Sequence, residues 1–259
     1  MHFERQGSGR PMLLVHGLGS GLRNWDPVVP ALAAERDVII VDLPGFGDTA
    51  PLAGEVSIAT LTDAVERFIG SEGLPDVDLV GSSMGARMVL EMARRGHAGT
   101  TVALDPGGFW TNRQVAVFGA TIKASIALVR RIQPALPALT RNPAGRTALL
   151  AQFSAKPWKL DPDLVLTELR GFKTAPSLDA ALRALVFGPK QEGAPAGSLN
   201  GKVVIGWGRQ DKVTLPSQAK TASSLFPDAT LHWFDDCGHF PHWDQPAQAA
   251  RLILDSTMT

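Results

Sequence analysis

The stretch DLVGSSMGARMVL, residues 78–90, sets two adjacent serines between two glycines, after an apolar run and at the start of a helix-like pattern. Gly81, Ser83 and Gly85 match the pattern G-x-S-x-G, whereas Ser82 would need glycine at two positions that hold Val and Met. A serine on a tight strand-to-helix turn needs small neighbours, so that the turn can close and expose the hydroxyl. The spacing therefore predicts that Ser83 is a nucleophile.

A serine hydroxyl is a weak nucleophile near neutral pH, so a base must remove its proton, and histidine has a suitable ordinary pKa. His239 lies in the Gly-containing loop DCGHFPHWDQP, which follows the strand-like run TLHWF near the C-terminus. A histidine in this loop can meet Ser83 if the serine lies at the carboxyl ends of the strands. We predict His239 as the base and expect His242, at the head of the last helix, to be a structural imidazole.

The base in turn needs a carboxylate that holds its tautomer and stabilises the imidazolium. Asp211 lies in VVIGWGRQDKV, directly after a strand-like run and before His239 in the chain. Asp105, at the end of TVALD, also ends a strand and is the alternative. The first choice gives the chain order Ser83, Asp211, His239.

The composition limits the classes of partner. The 259 residues include 25 Lys plus Arg and 25 Asp plus Glu, with a pI near 7.0. This balance gives no global field for nucleic acid or an anionic membrane, so a small molecule is the expected partner. No apolar run approaches the roughly 20 residues of a membrane-spanning helix, and the N-terminus lacks the apolar stretch of a secretory signal. We expect a cytoplasmic protein; the sequence does not indicate its oligomeric state.

Short apolar runs bounded by Gly, Pro and Asp alternate with amphipathic segments, which predicts an α/β fold with a mainly parallel, doubly wound sheet. Ser57 is predicted to cap the helix that follows VDLPGFGD. Strand-like runs disappear between residues 110 and 197, where Ala- and Leu-rich segments predict an inserted helical lid. The remaining segments, 1–109 and 198–259, form the predicted core. Strands are expected at 12–16, 37–42, 77–82, 100–104, 202–206 and 229–234.

Four motifs together resemble the α/β-hydrolase family: LLVHGLGSG, VDLPGFGDT, the serine turn and the acid loop WGRQDKV. The resemblance implies that the backbone N–H groups of Leu18 and Met84 form the oxyanion hole, with His16 holding the first of these loops. It also implies hydrolysis without a cofactor. The short segment before MLLVHG leaves room for one strand, where the family usually has two or more.

Other chemistries match the sequence less well. GLGSG resembles a dinucleotide-binding turn, but the full pattern requires glycine at 22, where Leu22 stands. Cys237, the only cysteine, lies two residues from His239 without a turn of its own, so we do not expect it to be the nucleophile. The lone cysteine and scattered histidines show no metal-ligand spacing, so no metal site is expected.

Within the family, the residue at the serine turn excludes haloalkane dehalogenases and epoxide hydrolases, which need an Asp nucleophile. Carbon–carbon bond hydrolases of aromatic degradation keep the serine, but they usually have Trp where Phe240 stands. A cofactor-free perhydrolase or a hydroxynitrile lyase would use the same three residues, and a hydrolase-derived receptor for a small ligand is the non-enzyme alternative. The leading hypothesis is a carboxylic ester hydrolase.

The predicted lid bears on the substrate because it is rich in large apolar side chains at helical spacing. Most of them are expected to pack the lid onto the core. A pocket lined by the remainder favours an apolar acyl or aryl group. The sequence thus predicts uncharged, hydrophobic esters of small to medium size as substrates, contacted by Phe118, Phe153, Trp158 and Phe240.

Overall fold

The computed structural model describes residues 1–258, which contain a seven-stranded sheet in the order β1-β3-β2-β4-β5-β6-β7. β1 pairs with β3 in antiparallel fashion, and all other neighbours are parallel. The predicted α/β class with a mainly parallel sheet is confirmed. The strands are β1 Phe3–Gly7, β2 Pro11–Val15, β3 Asp37–Val41, β4 Asp78–Ser82, β5 Thr101–Leu104, β6 Val203–Gly208 and β7 Thr230–Phe234.

The six strands expected from apolar runs are present, with ends that differ from the predicted ones by at most two residues. β3 and β4 are buried along their whole length, which is the pattern of strands covered on both faces. The lead-in before β2 forms the single strand that it has room for, β1, whose last three residues are exposed.

Helices follow the strands along the chain. Ser57 caps α2 as predicted: its side chain accepts a hydrogen bond from the Thr60 N–H at 3.1 Å. Within residues 1–258 the α-helices are α1 Val29–Ala33, α2 Ile58–Ser71, α3 Met84–Arg94, α4 Asn112–Arg131, α5 Leu136–Arg141, α6 Pro143–Leu150, α7 Pro162–Thr174, α8 Leu178–Phe187, α9 Ser217–Leu225, α10 Pro241–Asp244 and α11 Pro246–Thr257. None of the helices in this part of the chain is long and apolar enough to cross a membrane.

The sheet separates two hydrophobic cores because successive side chains of a strand point to opposite faces. In β2, Leu13 and Val15 pack with residues of α2, α3 and α9. Met12 and Leu14 of the same strand pack on the opposite face with residues of α1 and α11. This arrangement covers both faces of the parallel strands and directs their carboxyl ends to one edge.

The described residues between β5 and β6 contain no strand, and helices α4 to α8 follow one another there. Residues of α4 to α7 build a third apolar cluster, which includes Leu136, Leu150, Val165 and Leu169 from the segment and Phe240 from the loop after β7. The cluster joins the helical segment to the loop that carries His239. The division into a core and a separate lid stays a prediction.

Candidate active site

Ser83 occupies a sharp turn between β4 and α3 at the carboxyl edge of the sheet. Its φ of 55° lies in the left-handed region, which a residue other than glycine rarely adopts. The glycines of the motif permit the turn: a Cβ on Gly81 would lie 2.4 Å from the Gly85 carbonyl oxygen. A Cβ on Gly85 would lie 2.2 Å from the Val15 carbonyl oxygen. Close backbone packing on both sides therefore explains G-x-S-x-G.

His239 reaches this serine from the loop after β7. Its Nε2 lies 2.8 Å from Ser83 Oγ, and the imidazole is 1% exposed. The backbone N–H of His239 donates to the Phe153 carbonyl oxygen at 2.7 Å, so the loop is bonded to the helical segment. The predicted nucleophile and base are thus within hydrogen-bond distance.

Asp211 lies on the other side of the imidazole. His239 Nδ1 donates to Asp211 Oδ2 at 2.8 Å, which leaves Nε2 as the acceptor facing the serine. Thr214 Oγ1 donates to the same oxygen at 2.6 Å, and the N–H groups of Val213 and Thr214 donate to Oδ1 at 2.7 and 3.1 Å. Four hydrogen bonds hold the buried carboxylate in the orientation that fixes the tautomer of the base.

Asp105, the alternative acid, is fully buried beside this group. Its Oδ1 accepts a hydrogen bond from the Gly208 N–H at 2.9 Å, at the start of the loop that carries Asp211. One ligating atom each of Asp105, Asp211 and His239 lie within 4.8 Å of one another. Burial, and then the negative charge of Asp211, raise the pKa of Asp105 well above its ordinary value. These causes favour the neutral form of Asp105, whereas Asp211 is the acid that is hydrogen-bonded to the base.

The oxyanion hole of Leu18 and Met84 N–H groups stays a prediction, on which two observations bear. Met84 is the first residue of α3, so its N–H has no carbonyl partner within that helix. Leu18 lines the same cavity as Ser83. His16 bonds its own loop, with Nδ1 2.7 Å from the Gly17 carbonyl oxygen, and Nε2 accepts from the Leu43 N–H at 3.0 Å. Burial lowers the pKa of His16, which agrees with a neutral, structural ring.

A cavity of about 30 Å³ adjoins Ser83 and His239, and three of the four predicted substrate-binding side chains line it. These are Phe118, Phe153 and Phe240; the Phe153 and Phe240 rings stack with centroids 6.1 Å apart. The structure does not bring Trp158 to the cavity: it lies in a short 3₁₀ helix and is 47% exposed. Five further apolar residues line the wall and were not predicted to contact substrate, which are Ile122, Ile126, Phe172, Leu178 and Val213.

A second buried polar group connects the helical segment to the core. Asn24 Nδ2 donates to Glu168 Oε2 of α7 at 2.9 Å, and His242 Nε2 lies 2.7 Å from Asn24 Oδ1. Burial raises the pKa of Glu168 to about 7 and lowers the pKa of His242 to about 3. The imidazole of His242 is therefore neutral and structural, as predicted. No sequence motif marked Glu168 or Asn24.

Two groups of side chains have a composition that suits a metal ion, but their potential ligand atoms already make hydrogen bonds to other residues. In the first, Asp42 accepts from the N–H groups of Leu22 and Asp48 and from His2 Nδ1. In the second, Asp105, Asp211 and His239, both ring nitrogens of the histidine face other residues. Burial raises the pKa of the Cys237 thiol, so this residue does not offer a thiolate.

Comparisons with known proteins show the family to which this fold belongs. A family model described as "Alpha/beta hydrolase family" matches residues 12–252. The 2-hydroxy-6-oxononadienedioate/2-hydroxy-6-oxononatrienedioate hydrolase 1 of Dechloromonas aromatica (strain RCB) is 25% identical, over 98% of this chain and 89% of the relative. The 2-hydroxy-6-oxo-6-phenylhexa-2,4-dienoate hydrolase of Burkholderia cepacia is also 25% identical, over 98% of this chain and 90% of the relative. The structure of a thermophilic esterase from Thermogutta terrifontis superposes with a TM-score of 0.76 at 20% identity, over 98% and 91% of the two chains, a likeness of fold.

Proposed function

Because the chain belongs to the alpha/beta hydrolase family, we propose that it is a serine hydrolase that cleaves small to medium hydrophobic carboxylic esters. The observation that carries the proposal is the continuous hydrogen-bonded chain from Asp211 through His239 to Ser83. In this order the acid fixes the tautomer of the base, and the base faces the hydroxyl. The reaction is acyl transfer in two steps.

In the first step Ser83 Oγ attacks the ester carbonyl while its proton passes to His239 Nε2. The N–H groups of Leu18 and Met84 stabilise the negative charge on the carbonyl oxygen. The protonated imidazole then gives its proton to the leaving alcohol, and an acyl-serine forms. In the second step water attacks the acyl group by the same route, the acid is released and Ser83 regains its proton. No step needs a cofactor.

The walls of the cavity support an apolar substrate group. Among the residues that line it within 1–258, His239 alone carries an ionisable side chain. At about 30 Å³ the cavity is small beside an acyl group, which supports a movement of its wall when substrate binds. We propose that helices α4 to α8 act as the lid that makes this movement.

Carbon–carbon bond hydrolysis is the second candidate, and the dienedioate and dienoate hydrolases at 25% identity support it. Phe240 follows His239 where such hydrolases usually have Trp. This difference favours the ester. The candidates are separated by comparing kcat/KM for 4-nitrophenyl butyrate and for 2-hydroxy-6-oxo-6-phenylhexa-2,4-dienoate.

The two adjacent serines provide a matched test of the nucleophile. Ser83→Ala is expected to lower kcat for 4-nitrophenyl butyrate by roughly 10³- to 10⁶-fold, because the three residues act as a unit. Ser82 is buried in β4 and its hydroxyl has no partner among the described residues, so Ser82→Ala should keep kcat within about threefold. Wild-type turnover in Ser83→Ala would reject the proposal.

A further inference from the structure

The zero net charge of the chain conceals a separation of charge between its segments. Residues 110–197, the predicted lid, contain twelve Lys and Arg and five Asp and Glu, a net charge of +7. The rest of the chain contains thirteen Lys and Arg and twenty Asp and Glu, a net charge of −7. The segment above the active site is therefore cationic, although the composition of the whole chain shows no field.

A groove of about 1070 Å³ lies between α4 and α8 in this cationic segment. One face of each helix lines it, since the residues from α4 and from α8 recur at helical spacing. Its apolar lining includes Ala116, Gly119, Leu182 and Val186. Phe187, 83% exposed at the end of α8, lines the same groove.

Cations at the rim of the groove lack intramolecular partners. Lys123, Arg183 and Lys190 line the groove, are exposed and make no ion pair with any described residue, 1–258. Asp179, its one acidic residue, pairs with Arg130 at 3.0 Å. The groove thus combines an apolar floor with unpaired positive charge, which complements an amphipathic anion.

A thin wall separates the groove from the cavity at Ser83. Ile126 lines both spaces and is 3% exposed. Trp110 lines the groove and stacks on Phe118, which lines the inner cavity, with ring centroids 4.9 Å apart. The groove is therefore next to the proposed acyl site and is separated from it by side chains.

We propose that this groove binds the far end of an extended acyl group that carries a terminal carboxylate, so that the substrates are amphipathic anionic esters. The inference rests on the proposed function and narrows its substrate class. It departs from the sequence-based expectation of uncharged esters, which considered only the apolar side chains of the lid. The apolar chain crosses the wall at Ile126, and the carboxylate meets Lys123 and Arg183 at the rim.

The test compares esters that differ only in the terminal charge: mono-4-nitrophenyl suberate and 4-nitrophenyl octanoate, with the adipate and hexanoate pair as a shorter set. The measured quantity is the ratio of kcat/KM for the anionic ester to that for the neutral ester. For wild-type protein this ratio should exceed 1 at low ionic strength and fall as salt is added. In the Lys123→Gln/Arg183→Gln variant it should fall about fivefold or more.

The control variant is Lys159→Gln/Lys173→Gln, which removes the same charge from exposed positions of the lid outside the groove. It should keep the wild-type ratio within about twofold. If the ratio of kcat/KM falls equally in both variants, or does not fall in the Lys123→Gln/Arg183→Gln variant, the proposal of anionic substrates is wrong. The proposed function fails separately, if wild-type protein hydrolyses none of the four esters.

Discussion

His239 Nε2 lies 2.8 Å from Ser83 Oγ, although the two residues are 156 positions apart in the chain. Parallel strands explain the meeting, because their carboxyl ends share one edge of the sheet. β4 ends at this edge just before the serine, and the loop after β7 brings the histidine over it. The order of the strands in the sheet therefore brings the catalytic side chains together. Substitutions of individual residues at this edge are expected to have different effects on activity and stability.

The two buried acids are expected to respond differently to removal of charge. Asp211→Asn should lower kcat about 10⁴-fold, because the amide no longer fixes the tautomer of His239. Asp105→Asn should stay within about tenfold of wild type, because burial favours the neutral form of Asp105 and the amide can still accept from the Gly208 N–H. Both are measured as kcat against pH.

The double variant Asp105→Asn/Asp211→Asn extends this comparison. Without the charge of Asp211, one of the causes that oppose ionisation of Asp105 is removed, and Asp105 can then serve as a weaker acid for the base. The double variant should therefore fall below Asp211→Asn. If Asp105→Asn is instead the crippling single change, the acid of the site is Asp105.

The rings of the cavity wall are expected to set the chain-length preference. Phe118→Ala and Phe153→Ala together should flatten the rise of kcat/KM from acetate to octanoate esters, since each buried methylene contributes about 0.8 kcal/mol. Trp158→Ala is the matched control, because this aromatic residue of the same segment is exposed and outside the cavity. An identical dependence of kcat/KM on chain length in both variants would show that the Phe118 and Phe153 rings do not determine the specificity.

The pKa of Glu168 predicts a fall in stability as pH rises. Its pKa is about 7 in the folded protein, raised from 4.5 by burial and by the charges of Asp26 and Asp42, against the hydrogen bonds from Ser20 and Asn24. Between about pH 4.5 and 7 the folded state keeps a proton that the unfolded state has lost. The contribution of Glu168 to the free energy of unfolding should therefore decrease across this window and level off above it.

Urea unfolding of wild type and Glu168→Gln measures this effect, because glutamine still accepts from Asn24 and does not titrate. The difference between the two proteins should grow from pH 5 to pH 8 in favour of Glu168→Gln. If the difference in unfolding free energy between the two proteins does not change with pH, the carboxyl group of Glu168 does not cause the pH dependence of stability.

The glycines of the serine turn predict a contrast in stability. Gly85→Ala should cost about 1–3 kcal/mol or more and abolish activity, because its Cβ would lie 2.2 Å from the Val15 carbonyl oxygen. Gly70, an exposed residue of α2, has no atom within 4 Å of an added Cβ, so Gly70→Ala should stabilise by about 0.5–1 kcal/mol. Chemical denaturation distinguishes the two outcomes.

Sequence patterns predicted those parts of the molecule that depend on local chemistry. The strand runs, the Ser57 cap and the serine turn follow from residues near one another in the chain. The contact of Asn24 with Glu168 joins residues 144 positions apart, and no pattern marks it. Trp158 was assigned to the pocket by its aromatic character, but its direction depends on the path of a 3₁₀ turn. The positive net charge of residues 110–197 can be counted from the sequence, but the net charge of the whole chain, which is zero, does not reveal it.

The bond from the His239 N–H to the Phe153 carbonyl oxygen constrains how the site can open. Nearby, Asp244 accepts from the Ala155 N–H at 2.8 Å and from the Gly238 N–H at 2.7 Å. These hydrogen bonds hold the segment after α6 against the loop that carries His239. A hinge in that place would misalign the imidazole with every opening, so we expect an opening of the proposed lid to come from α4 and α8, while this corner and the catalytic alignment stay in place.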